Sequence, residues 1–459
     1  MKTLFQKIAL SAISAGALVM ANPTWAKLSA DEIKSLGTTL TPMGAEKEGN
    51  KDGTIPPYSG KWLGAPAGMN FSGTGKVYPD PYPTEKPLFT ITAQNMAQYA
   101  GRLSEGEKAM FKKYPATFRM PVYPSHRDFR YPDKVLANVK DNASSATLVD
   151  DGLNLKGAFG GPAFPIPKTG IELLWNTQTV YRATNEIATY DQAVVYPEGN
   201  IAWGRVSYKI LAPINNLSLD RKEFSGPSNY FNVTTLVPDR DKGTIIVGNE
   251  TTDFANHPRL SWQYSPGTRR VRQLPSYGFD MPNGAGGFRT VDDDRLFNGS
   301  PERYDWKILG KKEIYIPYHA YKLDDPKVKY SEMLTKGHID PDLMRYELHR
   351  VWLLEGTVKQ GVRHQYAKRV MYVDEDSWNS VMADNYDSRG ELWRVAMVNL
   401  VYAYDLQGYH VRVALYHDLQ SGAYLADRLA NEQPKPAKIN SGELKAADYT
   451  PDAARQSGL

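Results

Sequence analysis

Hydrophobic and polar positions change their period several times along this chain, and each change predicts a different kind of element. The first 26 residues hold an uncharged apolar run, Ile8 to Ala21, behind a short basic start (Lys2, Lys7) and ahead of Thr24-Trp25-Ala26. The run is short for a membrane span and rich in Ser, Ala and Gly. It therefore predicts an export signal cleaved after Ala26. The next stretch, LTPMGAEKEGNKDGTIPPYSG (residues 40–60), has neither helical nor strand periodicity. Its Pro and Gly turns suit an extended strap lying across other elements, with Ile55, Tyr58 and Trp62 as the apolar residues that would hold it down.

Helical patterns follow. Ser29-Ala30-Asp31-Glu32 is a capping box that predicts a short helix running toward Leu36, with Gly37 as its stop. A second helical region covers residues 93–113, interrupted near Gly101 and restarted by the Ser104-to-Glu107 box, and a third covers residues 133–146. The Pro-rich connectors between them, VYPDPYPTEKP and MPVYPSHRDFRYP, cannot form sheet interiors.

From Gly170 onward the pattern reads as β. Ile171, Leu173, Trp175, Thr177, Thr179 and Tyr181 alternate with Glu172, Asn176 and Gln178, the period of a strand with one buried face. IATYDQAVVYP, NIAWGRVSYKILAP, YFNVTTLVP, GTIIVGNETTDF, PRLSWQYSP and TRRVRQLP come next, separated by turn residues, and SPGT joins the last two as a hairpin. A long irregular insertion, residues 275–306, interrupts them. Strands resume at WKILG, KEIYIPYHAY, RYELHRVWLLEGTV, YAKRVMYVDED, SVMADNYDS and LWRVAMVNLVYAYD. Neighbours this close in sequence pair as antiparallel hairpins. About thirteen such strands make one large sheet, which must curl or close because a flat sheet of that width is rare.

Composition narrows the class. The chain has no cysteine, which excludes disulfides, thiol chemistry and anchoring through a lipidated Cys. Export without cysteine points to a bacterial periplasm. Losing Lys2 and Lys7 with the leader takes the formal charge from +4 to +2, and no element concentrates Lys and Arg, so nucleic acid is not the expected partner. The 29 Tyr and 31 Pro suit half-wet strands and extended connectors. An outer-membrane barrel is disfavoured by the polar C-terminus, KINSGELKAADYTPDAARQSGL.

Catalytic signatures are missing: there is no G-x-S-x-G elbow, H-E-x-x-H helix, Walker loop or dinucleotide-binding turn. The eight His are spread from His126 to His417. Only His349 with His364, and His410 with His417, fall close together in predicted hairpins. Imidazoles without nearby acids rarely make a metal site, so no metal, cofactor or catalytic residue is assigned. Asp292-Asp293-Asp294 with Asn298 and Gly299 has some character of a calcium loop but lacks the closing glutamate. The alternative is a loop whose carboxylates cap helices and pair with Arg289, Arg295 or Arg303. Gly284 to Gly287 reads as an anion nest or as a flexible loop, and the insertion as a whole is the expected moving part.

Four long stretches carry a family resemblance: AEKEGNKDGTIPPYSG, GGPAFPIPKTGIELLWN, FNGSPERYDWKILGKKEIYIPYHAY and HRVWLLEGTVKQGVRHQYAKRVMYVDEDSW. Together, from Leu28 to Asp405, they resemble the domain-of-unknown-function 1329 family of proteobacterial secreted proteins, often labelled outer membrane lipoprotein-sorting proteins and placed beside LolA and LolB. A strand ending in Asp, a short hairpin and a second strand ending Asp-x-x-Gly recur in that wider group, and YVDEDSWNSVMADNYDSRG fits them. The resemblance implies a mainly β fold with helices: a large curved antiparallel sheet, an open and unclosed barrel, with a helical plug. It also implies work beside an RND-type transporter and an outer-membrane partner.

The expected organisation is a signal peptide (1–26), a strap and helices covering the sheet (27–169), the open barrel (170–425) and a polar tail (426–459). The expected function is that of a periplasmic carrier for a lipid, lipoprotein acyl chain or other hydrophobic molecule at the outer membrane. Trp175, Trp203, Phe254, Trp262, Trp306, Trp352 and Trp393 are the candidate ligand-binding residues, large apolar faces on predicted strands that would line a cavity. Each methylene of an acyl chain buried there contributes roughly 0.8 kcal/mol. Two other classes remain. A hydrolase would use Asp293 with His319 or His349, and a structural envelope protein would have its interior filled by its own side chains.

Overall fold

The computed structural model describes residues 27–275 and 277–458, and the expected signal peptide lies outside them. The N-terminal region contributes α1 (Ala30–Ser35), β1 (Phe89–Ile91), α2 (Met96–Tyr99), α3 (Glu105–Lys113), β2 (Met120–Val122), α4 (Asp133–Ser145), a small hairpin of β3 (Thr147–Val149) and β4 (Asn154–Lys156), and α5 (Gly170–Gln178). A first meander follows: β5 (Asn185–Val195), β6 (Ile201–Leu211), β7 (Asn229–Val237), β8 (Ile245–Glu250), β9 (Leu260–Ser265) and β10 (Arg270–Gln273). The insertion carries the two-residue strands β11 (Pro282–Asn283) and β12 (Arg289–Thr290). The second meander begins with β13 (Tyr304–Pro317), α6 (Tyr330–Met333), β14 (Tyr346–Val358) and β15 (Lys368–Asp374). It continues with β16 (Ser380–Tyr386), β17 (Leu392–Ala403), β18 (Gly408–Asp418) and β19 (Tyr424–Leu429), and β20 (Lys438–Ile439) and α7 (Pro451–Ser457) end the chain.

Sixteen of these strands form one sheet. The two meanders join where β19 pairs antiparallel with β5, Leu425 opposite Val194, so the last long strand completes the edge of the first. Every pairing in the sheet is antiparallel except the single β2–β14 contact at Val122 and Tyr346. The sheet curls. Four strand spacings separate β13 from β17, about 19 Å if the sheet were flat, yet their Cα atoms approach within 8 Å. β10 and β13 are not paired, and the barrel stays open between them.

Side chains alternate between two cores, as a period of two requires. Val194 and Leu425 point to an inner cluster shared with Val351, Val373 and Val398 and with the N-terminal residues Met43, Phe129 and Val139. Their neighbours Ala193, Val195 and Ala426 point to an outer cluster covered by Ile55, Met110, Phe111 and Met333. The 40–60 ribbon lies against the sheet. Ile55 is buried, Trp62 packs on Phe129, and Arg127 donates to the carbonyls of Glu46 and Pro56 while pairing with Asp376. At the other end β20 pairs with β5, and Ala454 of α7 packs on Ile245, Val247 and Tyr264.

Three local readings need correction. Residues 171–181 are not a strand, because Gly170–Gln178 is helical. Thr169 Oγ1 accepts the amide of Glu172 while the Glu172 carboxylate accepts that of Thr169, a reciprocal cap. The apparent alternation is that of a helix buried on most of its surface, from Leu173 to Thr177. Gly170 permits its close approach to β13, since a Cβ there would lie 2.3 Å from the Trp306 carbonyl carbon. The segments WKILG and KEIYIPYHAY are one strand bent by a bulge between Ile308 and Gly310, with Gly310 at φ 130°. Phe254 falls beyond the end of β8 rather than on a strand.

Two predictions follow from the capping geometry. Thr169→Ala removes the cap of a buried helix and is expected to cost about 1 kcal/mol, read as a lower denaturant midpoint at unchanged m. At the N-terminus of α3, burial pushes the Glu107 carboxyl up to about 8, against the pull of its bond to the Ser104 amide, and one of its oxygens has no partner. A raised carboxyl pKa stabilises the fold fully below the unfolded value near 4.5. That contribution declines as pH rises and is lost through about 8. Thermal melts should show this decline, and Glu107→Gln should flatten it. Asp384 beside it, raised to about 6, changes over a lower range, but Glu375 (about 7) and His349 (about 9) also contribute between about pH 6 and 8, so it is the difference between the wild-type and Glu107→Gln curves that isolates Glu107.

Candidate functional site

The inner face of the second meander is filled by its own side chains and those of the N-terminal region, whereas that of the first meander is only partly covered. Over β5, β6 and β7 there is a groove of about 820 Å³. Its floor follows strand periodicity. Ala202, Gly204, Val206 and Tyr208 of β6 face it, and Val233 and Thr235 of β7 lie opposite Tyr208 and Val206. Its roof is the insertion. Gly284, Gly286 and Gly287 all have φ between 62° and 75°, a conformation that side chains disfavour, and this lets the backbone turn tightly over β6. A Cβ on Gly204 would lie 3.1 Å from that of Ala285, so roof and floor touch there.

The groove continues inward to a pocket of about 100 Å³ between Ile210, Phe231, Val233 and the 289–298 segment. Beyond Arg259 and Tyr277 lies a side compartment of about 230 Å³ bounded by Phe254, Pro275 and Phe279. Charged groups hold the roof in place. Arg289 reaches Asp427 of β19 at 3.1 Å, and Asp427 also accepts from Gln192 at 2.9 Å. Glu186 accepts from Tyr190 at 2.8 Å and lies 3.4 Å from Arg428, which donates to Tyr208 at 3.0 Å. Burial opposes ionisation of Glu186, but His410, Arg428 and Arg295 outweigh it and hold the carboxyl down at about 2. Arg259 pairs with Glu250 at 2.6 Å.

The seven aromatic residues do not form one cluster, although Trp175 and Phe254 pack together with ring centroids 5.9 Å apart. Trp203 stands at the rim of the groove, 39% exposed and beside Tyr330, and Phe254 borders the side compartment. Trp175, on α5 rather than a strand, is buried with its indole N–H on the Gly152 carbonyl. Trp262 packs on the far side near α7, Trp306 against Phe297, Trp352 beside Trp378, and Trp393 bonds Asp418. Sequence reasoning missed the residues that line the hollow: small and β-branched positions with Tyr, and arginines. The alternation of Ala202, Gly204 and Val206 was the available signal, and it does not stand out beside tryptophan.

The other candidates separate as well. Asp293 bonds Tyr366 and the Thr290 amide, while His319 bonds Glu347 and Tyr409, so the pair shares no partner. His349 lies between Glu347 (3.3 Å) and Asp374 (3.5 Å), and although burial opposes the charged form these acids raise it to about 9. His364 is on Asp292 instead, at 2.9 Å. His410 and His417 share β18 but face opposite sides, and burial lowers both to about 3. The Asp292, Asp293 and Asp294 carboxylates diverge, toward His364 and Arg369, toward Tyr366, and toward Arg289 and Arg428. Arg303 pairs with Asp280 instead. Among the described residues, His349, Asp374 and Asp376 are close enough together to suit a cation. Asp376 is already held by two Arg127 nitrogens at 2.8 Å, and Asp374 by Ser377 and Tyr318.

Known proteins align with this chain over most of its length. Uncharacterized protein PA3922 of Pseudomonas aeruginosa is 43% identical over 445 residues, covering 96% of each chain. Among solved structures, a putative outer membrane lipoprotein-sorting protein domain from Vibrio parahaemolyticus is 15% identical with a TM-score of 0.42. It spans 62% of this chain and 98% of its own. A DUF1329 family protein from Desulfovibrio piger gives 14% and 0.42 over 62% and 97%, and the LolA superfamily protein NE2245 from Nitrosomonas europaea 14% and 0.36 over 62% and 100%. The family model described as protein of unknown function (DUF1329) matches residues 90–455, most of both meanders and the N-terminal helices, and the chain belongs to that family.

Proposed function

We propose that the protein is a periplasmic carrier that holds a hydrophobic or amphipathic molecule in the hollow between the first meander and the insertion, and passes it on at the outer membrane. The observation that carries this reading is the groove of about 820 Å³, continuous with an inner pocket and roofed by a segment that turns on glycines. Its volume lies within the roughly 300–1,000 Å³ of small-molecule sites. A structural scaffold would have no use for such a space, and among the described residues no nucleophile with a free base faces it. Val206, Val233 and Ala202 offer an apolar floor for a chain, and the Tyr190 and Tyr208 hydroxyls, already engaged with Glu186 and Arg428, make its polar side.

The export signal read in residues 1–26 supports the compartment, and among the described residues no helix is long and apolar enough to cross a membrane. Exchange would proceed by displacement of the glycine-rich part of the roof around residues 284–287, which Arg289 fastens to Asp427, while Leu296 and Phe297 keep the rest of the insertion in the core. A partner of higher affinity, an outer-membrane protein or an RND-type transporter, would then draw the cargo out.

Native mass spectrometry of protein purified gently from periplasm tests the reading, with a bound lipid-sized mass as the expected result. Val233→Trp places an indole where groove and inner pocket meet, and should reduce that bound fraction at least about tenfold while leaving the melting curve cooperative. A wild-type protein that never carries ligand and takes up no fluorescent fatty acid would exclude a carrier.

A further inference from the structure

Six arginines and five carboxylates line the hollow; Arg240 and Asp241 pair with each other at 3.0 Å, which leaves Arg182, Arg259, Arg289, Arg295 and Arg428 against Glu186, Glu250, Asp294 and Asp427. Three pairings are short: Arg259–Glu250 at 2.6 Å, Arg289–Asp427 at 3.1 Å and Arg428–Glu186 at 3.4 Å. That leaves Asp294 with two arginines, Arg182 and Arg295, and neither makes an ion pair within 4 Å of a described carboxylate. Asp294 is itself approached at 3.8 and 3.9 Å by Arg289 and Arg428, which share its charge. The inner pocket therefore has an excess of positive charge.

The side chain of Arg182 is held in place by one bond. One terminal nitrogen donates to the Gln178 carbonyl at the C-terminus of α5 (2.5 Å), a contact that fixes its position. Its Nε is shielded from solvent and has no hydrogen-bond partner, leaving most of the five donors of a guanidinium unused. Burial and the nearby charge of Arg295 both press Arg182 toward its neutral form, down to about 9. A desolvated cation with idle donors is costly unless something supplies negative charge. Across the pocket, Arg295 is held at φ 54°, a left-handed conformation that keeps it in the lining.

We propose that Arg182 and Arg295 form the headgroup subsite of the hollow, binding the anionic group of an amphiphile, a carboxylate or phosphate, whose tail lies outward along β6 and β7. The inference rests on the carrier reading and narrows its cargo. Volumes agree with this polarity. The inner pocket, at about 100 Å³, has room for a headgroup and is several times smaller than the groove. The tail has the 820 Å³ groove, reached past Val233. Planar guanidinium donors match carboxylate and phosphate oxygens two at a time, and this geometry selects against neutral and cationic heads.

The test measures binding of a series with one twelve-carbon tail to the full mature chain: dodecanoate, dodecyl phosphate, dodecanol and dodecyltrimethylammonium, with inorganic phosphate as a further arm. The two anionic amphiphiles should bind about ten- to a hundredfold tighter than dodecanol, the range expected of a charge-assisted hydrogen bond. Arg182→Gln should remove that preference and Arg182→Lys should retain part of it. Inorganic phosphate should bind weakly; tight phosphate binding that dodecyl phosphate does not improve would assign the site to a free anion and overturn the proposal. Dodecanol binding as tightly as dodecanoate would overturn the subsite and leave the carrier intact. Failure of every amphiphile, the neutral one included, would overturn both. The headgroup comparison on the wild-type chain stands whether or not the variants fold.

Discussion

A sheet that curls acquires an inner face, and each part of that face must meet another part of the sheet or a segment brought from elsewhere. In this protein the two meanders meet that requirement differently. The second brings β13 back to within 8 Å of β17, so valines, leucines and tyrosines from opposite walls fill the interior. The first has no returning strand, and its inner face is covered by the insertion between β10 and β13. Packing of strand against strand leaves little space, because both surfaces carry side chains at regular intervals. A glycine-rich segment carries few side chains, so it can cover a sheet without filling the volume beneath it.

Charge reinforces this difference. Polar groups in the second meander are engaged with one another: Glu347 with His319 and Arg345, Asp374 with Ser377 and Tyr318, Asp376 with Arg127. Such networks help fix a unique core, although one Asp374 oxygen, facing His349, has no hydrogen-bond partner. Around the hollow the same residue types serve as fasteners for the roof, through Arg289 and Asp427, and leave a remainder of positive charge at the inner end.

Residues 27–178 belong to the same structure. β1 and β2 extend the sheet, α4 contributes Val135 and Val139 to the inner core, and α5 presses its backbone on β13 at Gly170. The ribbon at 40–60 reaches both cores: Trp378 donates its indole N–H to the Met43 carbonyl at the inner one, and Ile55 is buried in the outer one. These contacts are made mostly with the second meander, through β13, β14 and β17.

Local chemistry made much of this legible. The capping boxes at Ser29 and Ser104 start helices where they were expected, and the alternating segments from Ile187 to Ala403 are strands, because caps and period-two burial are properties of a few adjacent residues. The equivalent box at Thr169 was masked by accidental alternation in a helix buried on most of its surface, where periodicity is least informative. The site was not legible. Large aromatic residues fill closed cores because they bury the most surface, so Trp175, Trp306 and Trp352 lie where the sheet is packed, and the hollow is lined by small residues that leave room. The sequence alone determined which side chains share a face of each strand. Which face is filled and which is roofed was decided by tertiary structure, since it depends on how far the sheet curls and on where a segment nearly a hundred residues away comes to rest.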